Sequence, residues 1–363
     1  IHIPFCVSKC KYCAFVSVSD LSSEHDYIDA LIGEIVSSPL RGASADSVYI
    51  GGGTPSCLYR GALSEITAAV RDTFDISSDV EFTVECNPDS VDREFARECS
   101  SCGVTRVSMG LQSSDDMVLR AVGRAHSAAQ YVKAAELLRE FPFDMSSDLI
   151  LGLPNQDKSD VARSIDTIAE YCTHASVYAL SVEAGTPLYK SGYSPNDDYV
   201  ADLYDYAYGL LRSRGLKRYE VSNFAADGKQ SRHNKKYWEC KPYSGFGVAA
   251  HGYDGKSTRY AHTDDLKSYI ADPRPIYYAL SDRDKYNEYV MLGLRTEKGI
   301  DCSDFSERFG YSFADKNSEV LSRLISDGYI VSDGKSIRIA PQYMFVMNGI
   351  IEQLMLDEVS GNA

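Results

Sequence analysis

The chain opens Ile1-His2-Ile3-Pro4-Phe5-Cys6-Val7-Ser8-Lys9-Cys10-Lys11-Tyr12-Cys13, a short apolar run that delivers three cysteines in Cys-x3-Cys-x2-Cys spacing. Apolar, partly β-branched residues ahead of a polar stretch predict a strand running into a loop, which puts the thiols just past a strand end. Three thiolates on one short loop can ligate three corners of a 4Fe-4S cube and leave the fourth iron open to a small chelating molecule. A structural zinc site is the alternative use of such thiols. It needs four protein ligands, usually as two Cys-x2-4-Cys pairs, and the nearest further pair, Cys99 and Cys102, lies in a segment that reads as a helix end.

Outward from this loop, a second strand-like run at 47–51 leads into Gly51-Gly52-Gly53-Thr54-Pro55, and others follow at 81–85, 106–112, 147–152 and 176–182. Helical stripes fall between them: Tyr27, Ile28, Leu31, Ile32 and Ile35 share one face, as do Tyr131, Ala134, Leu137 and Leu138. This alternation predicts an α/β fold of parallel βα units. Six units make a partial (β/α)6, TIM-like barrel over 1–195, with its site at the C-terminal ends of the strands. Residues 196–274 turn Tyr- and Gly-rich and read as a rim or lid. Over 275–363 the order helix, helix, helix, hairpin predicts a winged-helix-like α+β domain.

Composition narrows the partners. The chain has 363 residues, enough for two domains, with 37 basic against 52 acidic residues and a formal charge of -15. No basic run with interleaved aromatics occurs, so nucleic acid and anionic membranes are poor partners, and the winged-helix order reads as a packing or partner module. No apolar run approaches the roughly 20 residues of a membrane span. The seven cysteines beyond the opening triplet, at 57, 86, 99, 102, 172, 240 and 302, lack paired spacing and predict reduced thiols of a cytoplasmic protein. Because the first residue is Ile, a few residues are expected to precede it.

An open cluster iron that holds the amino and carboxylate groups of S-adenosylmethionine (SAM) can reduce its sulfonium and release a 5′-deoxyadenosyl radical. The rest of that cofactor needs protein contacts. The glycine run at 51–53 permits close backbone approach, although such runs also serve as plain turns. Glu85 ends a strand with its carboxylate available to ribose hydroxyls, and Gln112, Arg124 and Asp148 offer polar groups near other strand ends. Asp148 stands inside an apolar run, so its carboxylate requires a partner. A second cluster, Ser231-Arg232-His233-Asn234-Lys235-Lys236-Tyr237-Trp238, gathers aromatics around one imidazole suited to haem iron. His251, in Ala249-Ala250-His251-Gly252-Tyr253, is a rival on the same logic, and a satisfied rim histidine is the bland reading of either.

These motifs, with Glu85-Cys86-Asn87-Pro88, Gly110-Leu111-Gln112-Ser113, Gly123-Arg124-Ala125-His126, the 148–154 run Asp-Leu-Ile-Leu-Gly-Leu-Pro and Gly185-Thr186-Pro187-Leu188-Tyr189, resemble the radical SAM superfamily. The resemblance spans nearly the whole chain and is narrowest to the coproporphyrinogen-oxidase-like branch. It implies a 4Fe-4S cluster on Cys6, Cys10 and Cys13, and SAM contacts from Gly52, Gly53, Thr54, Glu85, Gln112, Arg124 and Asp148, with Tyr12 near the adenine. An aromatic contact that the family places just before Ile1 has no counterpart in the chain. Within the branch, the HemW-type haem chaperones are set against the oxygen-independent coproporphyrinogen III oxidases. The oxidases carry a further cysteine where this chain has Phe15, and the chaperones' His-Asn-x-x-Tyr-Trp motif matches His233, Tyr237 and Trp238. Haem binding through His233 and delivery to an acceptor protein are therefore implied, with an electron donor as a further partner; the alternative is radical decarboxylation of propionates or other chemistry on a porphyrin.

Overall fold

The computed structural model describes residues 1–356. The last seven residues of the expected C-terminal domain, 357–363, lie outside the described residues. Six strands run parallel in chain order: β1 (His2–Ile3), β2 (Ser44–Gly52), β3 (Asp75–Cys86), β4 (Arg106–Gln112), β5 (Asp144–Leu151) and β6 (His174–Ala179). Helices Glu24–Val36, Ala62–Thr73, Arg93–Ser101, Ala128–Leu138, Lys158–Tyr171 and Asp197–Ser213 follow the strands in turn, completing six βα units. The antiparallel strands β7 (Lys217–Arg218) and β8 (Asn223–Ala225) then add to the free edge of β6, so the sheet ends there and does not return to β1. The partial barrel is thus open, as its strand count predicts.

Side-chain alternation along the strands decides what each face does. Val48, Ile50, Phe82, Val84, Val107, Met109, Leu149 and Val177 join the main apolar core under the helices. The intervening residues, among them Ser47, Tyr49, Glu81, Glu85, Arg106, Asp148 and His174, occupy the opposite, inner face. The barrel interior is therefore polar, unlike the layered apolar filling of a closed eightfold barrel.

Several expected boundaries shift for identifiable reasons. β1 is two residues long where 1–5 was expected, because Pro4 has no N–H to pair; Phe5 makes only an isolated bridge to Val18. β2 and β3 begin earlier, at Ser44 and Asp75, where Ser44 pairs with Asp75 and Ala45 with Ile76 ahead of a register shift before Ser47. β6 ends at Ala179, short of 182.

The stretch 196–274 contributes more than a rim. Its first helix packs against Lys158–Tyr171, and β7 and β8 extend the sheet. Residues 245–248 cover the outer edge of β1: His2 donates to Phe246 O at 2.9 Å, and Gly247, at φ +102°, lies so close that a Cβ would stand 2.6 Å from His2 O. Glu34 anchors this stretch through Gly247 N (3.0 Å), Tyr269 OH (2.5 Å) and His262 Nε2 (2.7 Å).

A small antiparallel sheet of β9 (His251–Tyr253), β10 (Thr258–Ala261) and β11 (Ile276–Ala279) precedes the C-terminal unit. There helix Asp282–Leu294, β12 (Ile300–Asp301), helices Cys302–Phe309, Phe313–Lys316 and Ser318–Ser326, and the hairpin β13 (Ile330–Ser332) and β14 (Ser336–Ile339) follow in order. β12 pairs with β14, which completes the winged-helix pattern with a strand too short to stand out in sequence. Tyr286, Phe305, Phe309 and Phe313 form its aromatic centre. No helix among the described residues is long and apolar enough to cross a membrane.

Candidate metal and cofactor site

Cys6, Cys10 and Cys13 are free, partly buried thiols on the loop beyond β1. Three strand-end loops converge on them. Thr54 Oγ1 donates to Cys6 Sγ at 3.4 Å, Asn87 Nδ2 donates to Thr54 Oγ1 at 2.9 Å, and Arg124 Nη2 donates to Asn87 Oδ1 at 2.9 Å. Arg124 also reaches Gly110 O at 2.9 Å and, through Nη1, Cys10 Sγ at 3.6 Å. The motifs after β2, β3 and β4 are thereby joined to two of the three thiols. Burial, and then the neighbouring thiols, push the Cys6 and Cys13 thiols up, while Thr54 and the Arg124 guanidinium pull Cys6 the other way. Iron binding must release those protons, and a buried cation beside the loop favours the thiolate form.

Among the described residues no three His, Cys, Asp or Glu side chains converge as one metal ion requires. A 4Fe-4S cube puts each thiolate on a separate iron, so its cysteines need not converge. Cys99 and Cys102 do not join the loop: Cys99 is fully buried in the core, and Cys102 Sγ lies against Ser64 Oγ at 3.6 Å. Tyr12 packs on a satellite cluster of Val118, Val122, Ile150, Leu153, Leu180 and Leu188, which seats the loop on the ends of β5 and β6.

The residues expected around SAM line one side of this loop. A Cβ on Gly53 would lie 2.5 Å from Phe5 O, so only glycine lets the two backbones approach, and Gly52 takes φ +112° under the His2 ring. Glu85 accepts from Gly52 N at 2.8 Å and from Tyr49 OH at 2.6 Å. Gln112 sits at φ +65° at the end of β4, with Oε1 buried and without a protein partner; Arg124 Nε is buried and unpartnered as well. Asp148, on the inner face of β5 opposite Gly110 and Ser176, is pushed up to about 7 by burial and then by Glu85, against a hydrogen bond from Ser176 and the charges of Arg124 and Arg106. Buried polar atoms left without protein partners are what a polar ligand at this position would satisfy. The residues present fit the cofactor.

The His233 segment lies at the opposite, N-terminal end of the strands. Ser231 caps the helix Arg232–Trp238, and Glu81 of β3 accepts from Ser231 Oγ (3.1 Å), Arg232 N (2.8 Å) and His233 N (2.8 Å), placing a carboxylate where the helix presents free N–H groups. His233 turns inward and stacks on Tyr49 with centroids 5.2 Å apart and planes 27° apart. Its Nδ1 meets Ser47 Oγ and its Nε2 meets Tyr237 OH, both at 2.9 Å. Burial lowers this imidazole to about 3. Tyr237 is 38% exposed and packs edge-on against Tyr243.

Relatives are consistent with this geometry. A family model described as Radical SAM superfamily matches residues 1–168, and one described as HemN C-terminal domain matches residues 280–346. The chain is 31% identical to the heme chaperone HemW of Lactococcus lactis over 99% of this chain and 97% of that protein. It is 32% identical to the heme chaperone HemW of Bacillus subtilis over 96% and 97%. The chain belongs to the HemW-type branch of the radical SAM superfamily. In fold, this HemW-type chain is also like the coproporphyrinogen III oxidase HemN of Escherichia coli, a radical SAM enzyme, with a TM-score of 0.84 at 23% identity over 98% of this chain and 88% of that one.

The structure brings the three cysteines together with Thr54, Gln112 and Arg124, and places Glu85 on β3 and Asp148 on β5, either side of β4 on the same inner face. It does not leave His233 as a free rim imidazole: both ring nitrogens are engaged, because the ring faces the barrel interior. His251 is exposed on β9, on a separate small sheet whose Tyr253 bridges to Tyr243, the residue packed against Tyr237. Asn87 of the Glu-Cys-Asn-Pro motif links Thr54 to Arg124, a role its sequence context does not signal. Tyr49, Ser47 and Glu81 belong to no motif, although strict alternation back from Gly51 and Glu85 puts all three on the inner face.

Proposed function

We propose that this HemW-type chain is a haem chaperone. It holds a 4Fe-4S cluster on Cys6, Cys10 and Cys13, SAM among Tyr12, Gly52, Gly53, Thr54, Glu85, Gln112, Arg124 and Asp148, and haem through His233 with Tyr237 and Trp238 against the macrocycle. It passes that haem to an acceptor protein in the cytoplasm. The observation that carries this reading is the His-Asn-x-x-Tyr-Trp helix seated directly behind the cofactor residues, its histidine stacked on the tyrosine that holds Glu85.

A reduced cluster supplies one-electron chemistry to the bound sulfonium. The chain's own residues do the holding. Arg124 neutralises thiolate charge and carries a free buried donor, Nε; Gln112 offers a free acceptor, Oε1. Glu85, already fixed by two donors, presents its remaining lone pairs in one orientation. The names of the curated relatives support haem as the cargo.

The test is an anaerobic haem titration of wild type, His233→Ala and His251→Ala, read by the Soret band with cluster content as control. Loss in His233→Ala alone is the expected result. Loss in His251→Ala alone moves the ligand. Parallel incubation with coproporphyrinogen III, SAM and a reductant is expected to give no decarboxylated product; wild type that binds no haem yet decarboxylates is an oxidase instead.

A further inference from the structure

We infer that Tyr49 is a positioning residue that ties the SAM-side acid Glu85 to the haem-side imidazole His233, so that the two ligands oppose each other's binding. The inference rests on the haem-chaperone reading for its haem arm only.

Tyr49 stands in the middle of β2, between Ser47 and Gly51 on the inner face. Its hydroxyl donates to Glu85 Oε1 at 2.6 Å, while Glu85 Oε2 accepts from Gly52 N at 2.8 Å. With one donor on each oxygen the carboxylate has a single orientation, and the lone pairs still free are those available to a ligand's hydroxyls. The ring of the same tyrosine stacks on His233, 5.2 Å between centroids. His233 is docked there by Ser47 Oγ on Nδ1 and Tyr237 OH on Nε2.

Neither imidazole nitrogen can coordinate iron while both hold these partners, since a coordinating nitrogen must offer its lone pair to the metal. Ligation by His233 therefore breaks at least one of the two contacts and leaves the ring held by at most one hydrogen bond, so that it can turn out of its dock toward the iron. Tyr49 then loses the stack on one face and no longer holds its hydroxyl firmly at Glu85. Conversely, a ligand that fixes Glu85 fixes Tyr49 and favours docked His233. Each ligand thus selects one of two arrangements of the same three side chains, and the coupling between them must be reciprocal.

The experiment has a haem-free and a haem-loaded arm, both on the reconstituted full chain. In the first, SAM affinity is read from the SAM-induced change in the cluster's electron paramagnetic resonance signal. Tyr49→Phe keeps the ring but removes the hydroxyl, and is expected to weaken SAM about tenfold. His233→Ala is expected to weaken it severalfold, His233→Phe, which keeps a ring on Tyr49, to restore most of that loss, and the Tyr49→Phe, His233→Ala double variant to be no worse than Tyr49→Phe alone. Unaltered affinity in Tyr49→Phe, or additive losses in the double variant, overturns the link. Iron content and melting temperature matching wild type show that the variants are folded; should Tyr49→Phe fail to fold, the His233→Ala and His233→Phe pair decides.

In the second arm, bound haem is expected to weaken SAM about threefold or more in wild type, SAM to weaken haem by the same factor in Soret titrations, and both factors to fall to about one in Tyr49→Phe. Equal SAM affinity with and without haem overturns the antagonism while leaving the chaperone reading standing. Wild type that binds no haem overturns that reading and the antagonism together, and the haem-free arm still decides the Tyr49 link.

Discussion

At the scale of single residues, the three loop cysteines differ from five of the other seven in their surroundings more than in their chemistry. Cys86, Cys99, Cys102, Cys172 and Cys240 are buried thiols packed in the cores, whereas Cys6, Cys10 and Cys13 share one loop with a buried guanidinium. Cys13→Ala should therefore lose the 4Fe-4S cluster, and Cys102→Ala should keep it, by iron and sulfide content after anaerobic reconstitution. A full cluster in the first variant would overturn the assignment. Asp148 makes a second prediction. Burial and Glu85 raise its carboxyl to about 7, opposed by Ser176, Arg124 and Arg106, so the ligand-free protein holds it protonated below that pH. An ionised carboxylate accepts stronger, charge-assisted hydrogen bonds from cofactor donors than a protonated carboxyl does, so SAM affinity should rise from pH 6 to pH 8 and lose this dependence in Asp148→Asn. Affinity that falls over the same range in wild type would exclude that role. The spacing of the cysteines was plain in the sequence; the value of Asp148 was not, because it depends on Glu85, sixty-three residues away in the chain and across the same lumen.

At the scale of elements, the seven-residue helix Arg232–Trp238 is too short to be stable by itself and depends on what its ends touch. Glu81 holds its first turn through two backbone N–H groups and the capping serine, while Arg232 and Lys236 pair with Asp79 and Asp46 beside it. Removing the carboxylate in Glu81→Ala should cost about 1–2 kcal/mol and raise amide exchange over this helix before the rest of the barrel. Exchange protection that falls everywhere equally would mean the helix is not a separately held element. The helix was legible as a motif but not as a plug at the N-terminal end of the strands, since nothing local to 231–238 points to Glu81.

At the scale of the whole molecule, the polar interior sets an acid limit. Burial keeps His2, His126, His174 and His233 below their ordinary 6.5, with Arg124 adding to the effect at His126 and Arg106 at His174. A depressed histidine contributes stability above its unfolded pKa and loses it as pH falls through that value toward the folded one. Asp148 and Glu220, both raised to about 7, work the other way between roughly pH 7 and 4. Four depressed histidines stand against three raised acids, Asp160 joining the other two through burial, so just below about pH 6.5 the unfolded chain binds more protons and stability falls on acidification, at about 1.4 kcal/mol per unmatched proton per pH unit. The melting temperature of the apo protein should drop from pH 7.5 to pH 5, and less so in His174→Gln. A melting temperature that rises on acidification would show that the acids dominate.

Sequence alone was enough for the βα alternation, the open six-unit barrel, the winged-helix order, the cysteine loop and the family to which they belong. Each of these is carried by local periodicity or by residues a few positions apart, where chain connectivity does the work of bringing groups together. Tertiary structure decided the rest: that Asn87 joins Thr54 to Arg124, that Glu85 is gripped by Tyr49, and that His233 faces inward with both nitrogens engaged. His233 and Ser47 are 186 residues apart and meet only because the strands align β2 beside β3 and the later segment folds back beneath them. A side chain's chemistry is read from its type; which of its atoms remain free depends on neighbours that only the packed fold supplies.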